Sequence, residues 1–213
     1  MTRAPQPVFA LPCGLVLRPW RRTDAQVLAG SYGDPGIRHW NRPEPMTPEG
    51  AATRIAGWER RWAEEEGAIW AVAHPDGPDG PGDGPVDGPG HGPGHEPGHG
   101  PGHEPGHEPG EAVGLIGLGD IDLRGANAEF LYWLLPGGRG RGVMPQAVTA
   151  VSRWAFDEVG LHRLRICHSV ANPASCAVAV KAGFPLEGTM RGALLHADGW
   201  HDEHLHARLA TDA

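Results

Sequence analysis

The chain has 213 residues, long enough for one domain with a proper core and short for two. Its three cysteines, Cys13, Cys167 and Cys176, are odd in number and lack C-x-x-C spacing, which argues against a disulfide framework or a cysteine zinc site and for a reducing cytoplasm. The formal net charge of −8 does not describe an acidic protein repelled by nucleic acid, because nearly all of it lies in residues 75–110, with seven acidic residues and no basic one. Residues 1–12, broken by prolines, do not read as a signal peptide. No run approaches the ~18 apolar residues that span a bilayer, so a soluble cytoplasmic protein without a membrane partner is expected.

In chain order, residues 14–18 predict a short strand ending before Pro19. Thr23 and Asp24 can cap a helix running to about Ala29. Thr47-Pro48-Glu49 supplies a cap hydroxyl, a proline at the first helical position and an acid in the first turn. The helix behind it should reach about Glu65, with Ile55, Trp58 and Trp62 along one side. Residues 68–73 and 112–118 are apolar runs predicted as strands, as are residues 128–135. A helix over 143–159 carries the stripe Ala147, Val148, Val151, Trp154 and Ala155. A strand over 164–170 leads to Asn172-Pro173, a cap followed by proline, and a helix to about Ala182. Residues 184–191 and 205–209 are the last predicted strands, with a turn at Asp198-Gly199. This order predicts a mixed α/β sheet in one domain over 1–213, with its core within 14–209.

Residues 75–110 interrupt the pattern at the tip of an expected hairpin. Their repeat, Pro-Gly-His-Glu or Pro-Gly-His-Gly, places histidines at 91, 95, 99, 103 and 107. Proline every fourth residue forbids a helix, and glycine makes extended order costly, so a disordered insertion is expected. Flexible metal chelation and a pH-responsive patch stay open.

The strongest local signal is Leu131-Tyr132-Trp133-Leu134-Leu135-Pro136-Gly137-Gly138-Arg139-Gly140-Arg141-Gly142-Val143. It predicts a buried strand, a glycine-arginine turn and a helix start. Unpaired amides and the positive dipole end at a helix N-terminus attract anions, and glycines let a ligand approach the backbone. The stretch therefore predicts a phosphate cradle. Neither the dinucleotide G-x-G-x-x-G spacing nor a Walker Gly-Lys-Ser/Thr ending is present.

The ordered set Leu17-Arg18-Pro19-Trp20 with Asp24, residues 129–136, Arg139-Gly140-Arg141-Gly142-Val143, Asn172-Pro173-Ala174-Ser175 and Lys181-Ala182-Gly183-Phe184 resembles the GNAT superfamily of acetyl-CoA-dependent N-acetyltransferases. Within it the chain is most similar to the ribosomal-protein serine/alanine N-terminal branch. The resemblance covers about 14–74 and 111–209. It implies a GNAT fold: a mostly antiparallel mixed sheet flanked by helices, with a splayed strand pair holding the cofactor. It implies that Trp133, Leu134 and Leu135 bind the pantetheine arm through backbone groups. The N–H groups of Arg139, Gly140, Arg141, Gly142, Val143 and Met144 would hold the pyrophosphate. Asn172 would cap its helix and reach the pantetheine, and Ser175 would meet the departing thiolate. Gly137 departs from the family's usual Gln or Arg at that place.

The implied reaction is attack of a primary amine, a protein N-terminus or a small molecule, on acetyl-CoA in a ternary complex. It needs proximity, an oxyanion donor (most simply a backbone N–H near Leu134) and a base. Glu129 is the first candidate base; Glu187, Asp202 and His168 follow. No metal ligands or direct nucleic-acid partner are expected, and the protein should be a monomer or homodimer. The competing reading is a metal-handling or interaction protein that displays the histidine repeat on an acetyltransferase-like scaffold.

Overall fold

Apolar runs that are continuous rather than alternating need cover on both faces, and the fold supplies it. The computed structural model describes residues 4–41, 44–77 and 108–212; the histidine repeat lies outside them. Strand β1 (Phe9–Ala10) and β2 (Val16–Pro19) lead through a 3-10 turn to helices α1 (Ala25–Ser31), α2 (Pro35–Asn41) and α3 (Pro48–Ala63). Then come β3 (Ala68–Ala73), β4 (Ala112–Asp122), β5 (Asn127–Leu134), α4 (Val143–Asp157), β6 (Arg163–Ser169), α5 (Pro173–Lys181), β7 (Leu186–His196) and β8 (Gly199–Leu209). The strands form one sheet in the order β1-β2-β3-β4-β5-β6-β8-β7. Every neighbouring pair is antiparallel except β5 and β6, which the α4 crossover makes parallel.

Side-chain alternation divides the core between the two faces. Trp70, Ile116, Phe130 and Phe184 pack with Val148, Val151 and Trp154 of α4 on one face. Ile69, Leu115 and Trp133 pack with Trp20, Leu28, Ile37 and Ile55 on the other. Each such side chain fully removed from water contributes about 1.5–3 kcal/mol. Thr47 accepts the Gly50 N–H at 3.2 Å and starts α3 at Pro48, as expected. The stripe on α3 divides: Trp58 packs on Trp20, whereas Trp62 meets Trp70 and Trp154.

The hairpin that carries the insertion is closed beneath it. His74 N–H donates to Glu111 O at 2.9 Å and Gly110 N–H to Pro75 O at 3.0 Å. Buried Arg18 binds Asp24 with both guanidinium arms, at 2.7 and 2.8 Å, and donates to Gly110 O at 2.6 Å. Arg21 grips Asp76 in the same two-armed way at the surface. The opening Arg18…Asp24 motif thus braces the ends of the insertion.

Four elements differ from expectation. β1 is a two-residue pairing too short for periodicity to show. Helix α2 buries only Ile37, although Asp34 accepting from Ile37 N–H at 2.8 Å, with Pro35 at the first position, is a start signal written in the sequence. β7 and β8 are 11 residues each, longer than expected, because they go on pairing through Leu194↔His201, Leu195↔Trp200 and His196↔Gly199 up to their turn, without an apolar stripe.

Candidate active site

β5 and β6 pair only through Asn127↔Arg163, Ala128↔Leu164 and Glu129↔Arg165. Beyond Glu129, β5 continues along β4 as far as Leu134, and β6 along β8 as far as Ser169, so the two strands part. Leu135 N–H donates to Val113 O at 2.8 Å, which fixes the alternation of the β4 ladder. Odd-numbered residues of this stretch turn their backbone groups to β4, and Tyr132 and Leu134 turn theirs into the gap. Of the three pantetheine-binding residues the resemblance implied, Leu134 faces the gap. Trp133 and Leu135 are corrected on this point: Trp133 turns its backbone groups to β4, Leu135 donates its N–H to Val113 O and accepts Gly138 N–H at 2.9 Å, and Tyr132 is the other residue facing the gap. Gly114 allows the two strands to lie this close, since a Cβ there would stand 2.7 Å from Trp133 O.

The glycine turn is built as the sequence predicts. Gly140 and Gly142 have φ of 78° and 68°, conformations that suit glycine and few other residues. Gly142 is the N-cap of α4 and supplies no side chain to bond the amides of Val143 and Met144, whose own side chains are buried in the core. Arg139 is a second correction. Its N–H donates to Pro136 O at 3.1 Å, and its side chain binds Leu134 O at 2.9 Å and Asp34 at 2.7 Å. It ties α2 to the end of β5 instead of holding phosphate.

A cavity of about 550 Å³ occupies the gap, walled by β5, β6, the start of α5, α2 and the inner end of β7. The strands present different chemistry on its two faces. Toward α5 stand Tyr132 and Ser175, oxygen to oxygen 2.6 Å, with Asn172, whose side chain caps α5 by accepting Ser175 N–H at 3.1 Å. Burial pushes the Tyr132 hydroxyl up to about 12, outweighing its bond with Ser175, so it stays protonated. Toward the other face stand Glu129, Cys167 and Glu203. Burial, with the Glu129 and Glu203 charges adding to it, raises the Cys167 thiol to about 12.

Glu129 lies in the cavity, but Arg165 Nε donates to it at 2.6 Å. Glu203, paired across β8 and β6 with Ser169, is half-buried and has no cationic partner among the described residues. Burial, then the Glu129 charge, raises its carboxyl above the usual range. Sequence reasoning missed Glu203, whose neighbours carry no motif. Glu187 is engaged by Arg163 at the surface, and Asp202 accepts Gly192 N–H; neither lines the cavity. His168 does line it, and burial lowers its imidazole, holding it neutral. Among the described residues, no helix is long and apolar enough to cross a membrane.

Comparison with known proteins agrees with this geometry. A ribosomal-protein-serine acetyltransferase of Escherichia coli is 34% identical over 99 residues, 46% of this chain and 55% of that protein. The chain spans about half the length of the curated relatives it matches. A ribosomal-protein alanine acetyltransferase from Vibrio fischeri superposes with a TM-score of 0.73 at 19% identity, covering 97% of this chain and 98% of that one. A spermidine N-acetyltransferase from Vibrio cholerae, solved with CoA and spermine, superposes at 0.67 and 16% identity over 93% and 96% of the two chains. These relatives give no support to the display-scaffold reading. With the acetyltransferase (GNAT) domain model matching residues 14–185, the chain belongs to the GNAT acetyltransferase family.

Proposed function

We propose that the protein is an acetyl-CoA-dependent N-acetyltransferase acting on a primary amine, with a protein N-terminus favoured as acceptor. The observation that carries this is the opened β5–β6 ladder, which runs directly into the glycine turn and the N-terminus of α4. The free amides of Val143 and Met144, with the backbone of Gly140, Arg141 and Gly142, suit a pyrophosphate. The backbone groups of Tyr132, which face the gap, suit the amides of a pantetheine arm. Bound acetyl-CoA supplies the thioester carbonyl that the amine attacks.

The chain's own residues then have separate tasks on the two faces of the gap. Leu134 N–H donates to the carbonyl oxygen as negative charge grows there, the kind of fixed donor worth several kcal/mol in a water-poor site. Glu203, in preference to Glu129, takes the proton from the attacking amine, because Arg165 already holds the Glu129 charge. Ser175, backed by the protonated Tyr132, donates to the departing sulfur. α2 and the inner end of β7 form the acceptor side, where Trp40, Leu194 and His196 line the cavity. The ribosomal-protein names of several relatives support the preference for protein N-termini.

The test is thiol release from acetyl-CoA with a panel of N-terminal peptides and polyamines. Turnover with at least one peptide is expected. Calorimetry that finds no acetyl-CoA binding at high micromolar concentration would overturn the proposal.

A further inference from the structure

Four potential metal ligands that the sequence scatters over three elements meet beneath α5. In the β6–β8 ladder His168 lies opposite His204, and His206 follows two residues along on the same face. Helix α5 covers that face and brings Cys176 onto it. One ligand atom from each of these four residues lies within 4.8 Å of all the others.

The protonation pattern makes this more than a crowd of side chains. His168 Nδ1 lies 2.8 Å from Ser169 O, and His206 Nδ1 lies 3.0 Å from Phe184 O. A carbonyl oxygen only accepts, so each Nδ1 carries the hydrogen and each Nε2 presents a bare lone pair. His168 and His206 are 4% and 1% exposed, and both Nε2 atoms are buried without a hydrogen-bond partner among the described residues, as is His204 Nδ1. A buried acceptor left unpaired costs about 1–3 kcal/mol. A cation answers all of them at once. Imidazoles whose other nitrogen is fixed by a backbone carbonyl are also the usual form of histidine metal ligands.

We infer that His168, Cys176, His204 and His206 form a Zn²⁺ site of one thiolate and three imidazoles. The ligand types and number match a closed tetrahedral zinc site, and the borderline-soft set disfavours Mg²⁺ or Ca²⁺. Closing to tetrahedral edges of ~3.3–3.7 Å asks for side-chain adjustments of about an ångström. The metal ties the first turns of α5 to β6 and β8, and so positions Ser175, the neighbour of Cys176. His204 and His206 face away from Glu203, because successive side chains of β8 alternate. The site is separate from the histidine repeat, which contains no cysteine.

That difference gives the test. Full-length protein, stripped with a chelator and kept reduced, is titrated with Co²⁺ as a spectroscopic stand-in and then with Zn²⁺. One equivalent of Co²⁺ should give a thiolate charge-transfer band and strong tetrahedral d–d absorption, both displaced by Zn²⁺. Cys176→Ala should abolish the charge-transfer band, and Cys13→Ala should keep it. In unmutated protein Zn²⁺ should slow alkylation of Cys176 at least tenfold and leave that of Cys13 unchanged, a readout that stands even if a variant fails to fold. Absence of the band, its persistence in Cys176→Ala, or Co²⁺ uptake by the histidine repeat alone would overturn the inference.

Discussion

Two adjacent parts of the same sheet are built in opposite ways. β3 and β4 pair along all of β3, from Ala68↔Leu118 to Ala73↔Ala112, and close again at Pro75 and Gly110. β5 and β6 pair for three residues and then separate. In the first region the ladder runs the length of the strand with a single register shift at Val72/Ala73, and the long connection at its tip leaves the pairing intact. Closure entropy grows only logarithmically with loop length, so a braced hairpin tolerates such an insertion at a cost of about 1–2 kcal/mol. In the second region the unpaired edge creates a cavity with oriented donors and acceptors already in place. The closed ladder carries stability, and the opened one is where we place the chemistry.

The largest effect should come from the opened ladder. Glu203→Gln should lower kcat on the order of 10²- to 10⁴-fold with an unchanged melting temperature, as loss of a general base does. Glu129→Gln should cost less than about tenfold, since its partner is Arg165. The reverse order in steady-state kinetics would restore Glu129 as the base. Next comes the closed ladder. Arg18→Ala leaves Asp24 buried and unpaired, and urea denaturation should show a loss of about 3–5 kcal/mol. Turnover per folded molecule should survive; if kcat falls instead, the two regions are not independent. The smallest effect belongs to the glycine turn. Gly142→Val should raise the acetyl-CoA dissociation constant about tenfold, or ~1.4 kcal/mol, because φ there is 68°. Unchanged affinity by calorimetry would remove the turn from the site.

Legibility followed the range of the interactions. The α3 start at Thr47-Pro48, the α4 start at Gly142 and the Asn172 cap were readable, because a cap is made by residues three or four apart. Helix α2 was readable in principle from Asp34-Pro35, but its single buried residue gave no stripe. Residues 192–196 of β7 and 199–204 of β8 gave none either, because they pair across their own turn without an apolar period. At the proposed site, the glycine turn and a gap-facing Leu134 were legible, whereas Tyr132 and Glu203, which also line the cavity, were not. Arg139 was assigned to the ligand because its proximity to the glycines is visible in sequence and its partner Asp34 is not.

By itself the sequence determined the glycine turn and helix start to which we assign the pyrophosphate, because glycines at left-handed positions and a helix N-terminus need only neighbouring residues. It also determined the family, through motifs in order. The tertiary structure decided which backbone groups line the gap, which carboxylate there lacks a cationic partner and which histidines meet Cys176. Each of those depends on the face a side chain takes. That face is set only when the register of distant strands is fixed, and one residue of slip would turn every one of them to the other side.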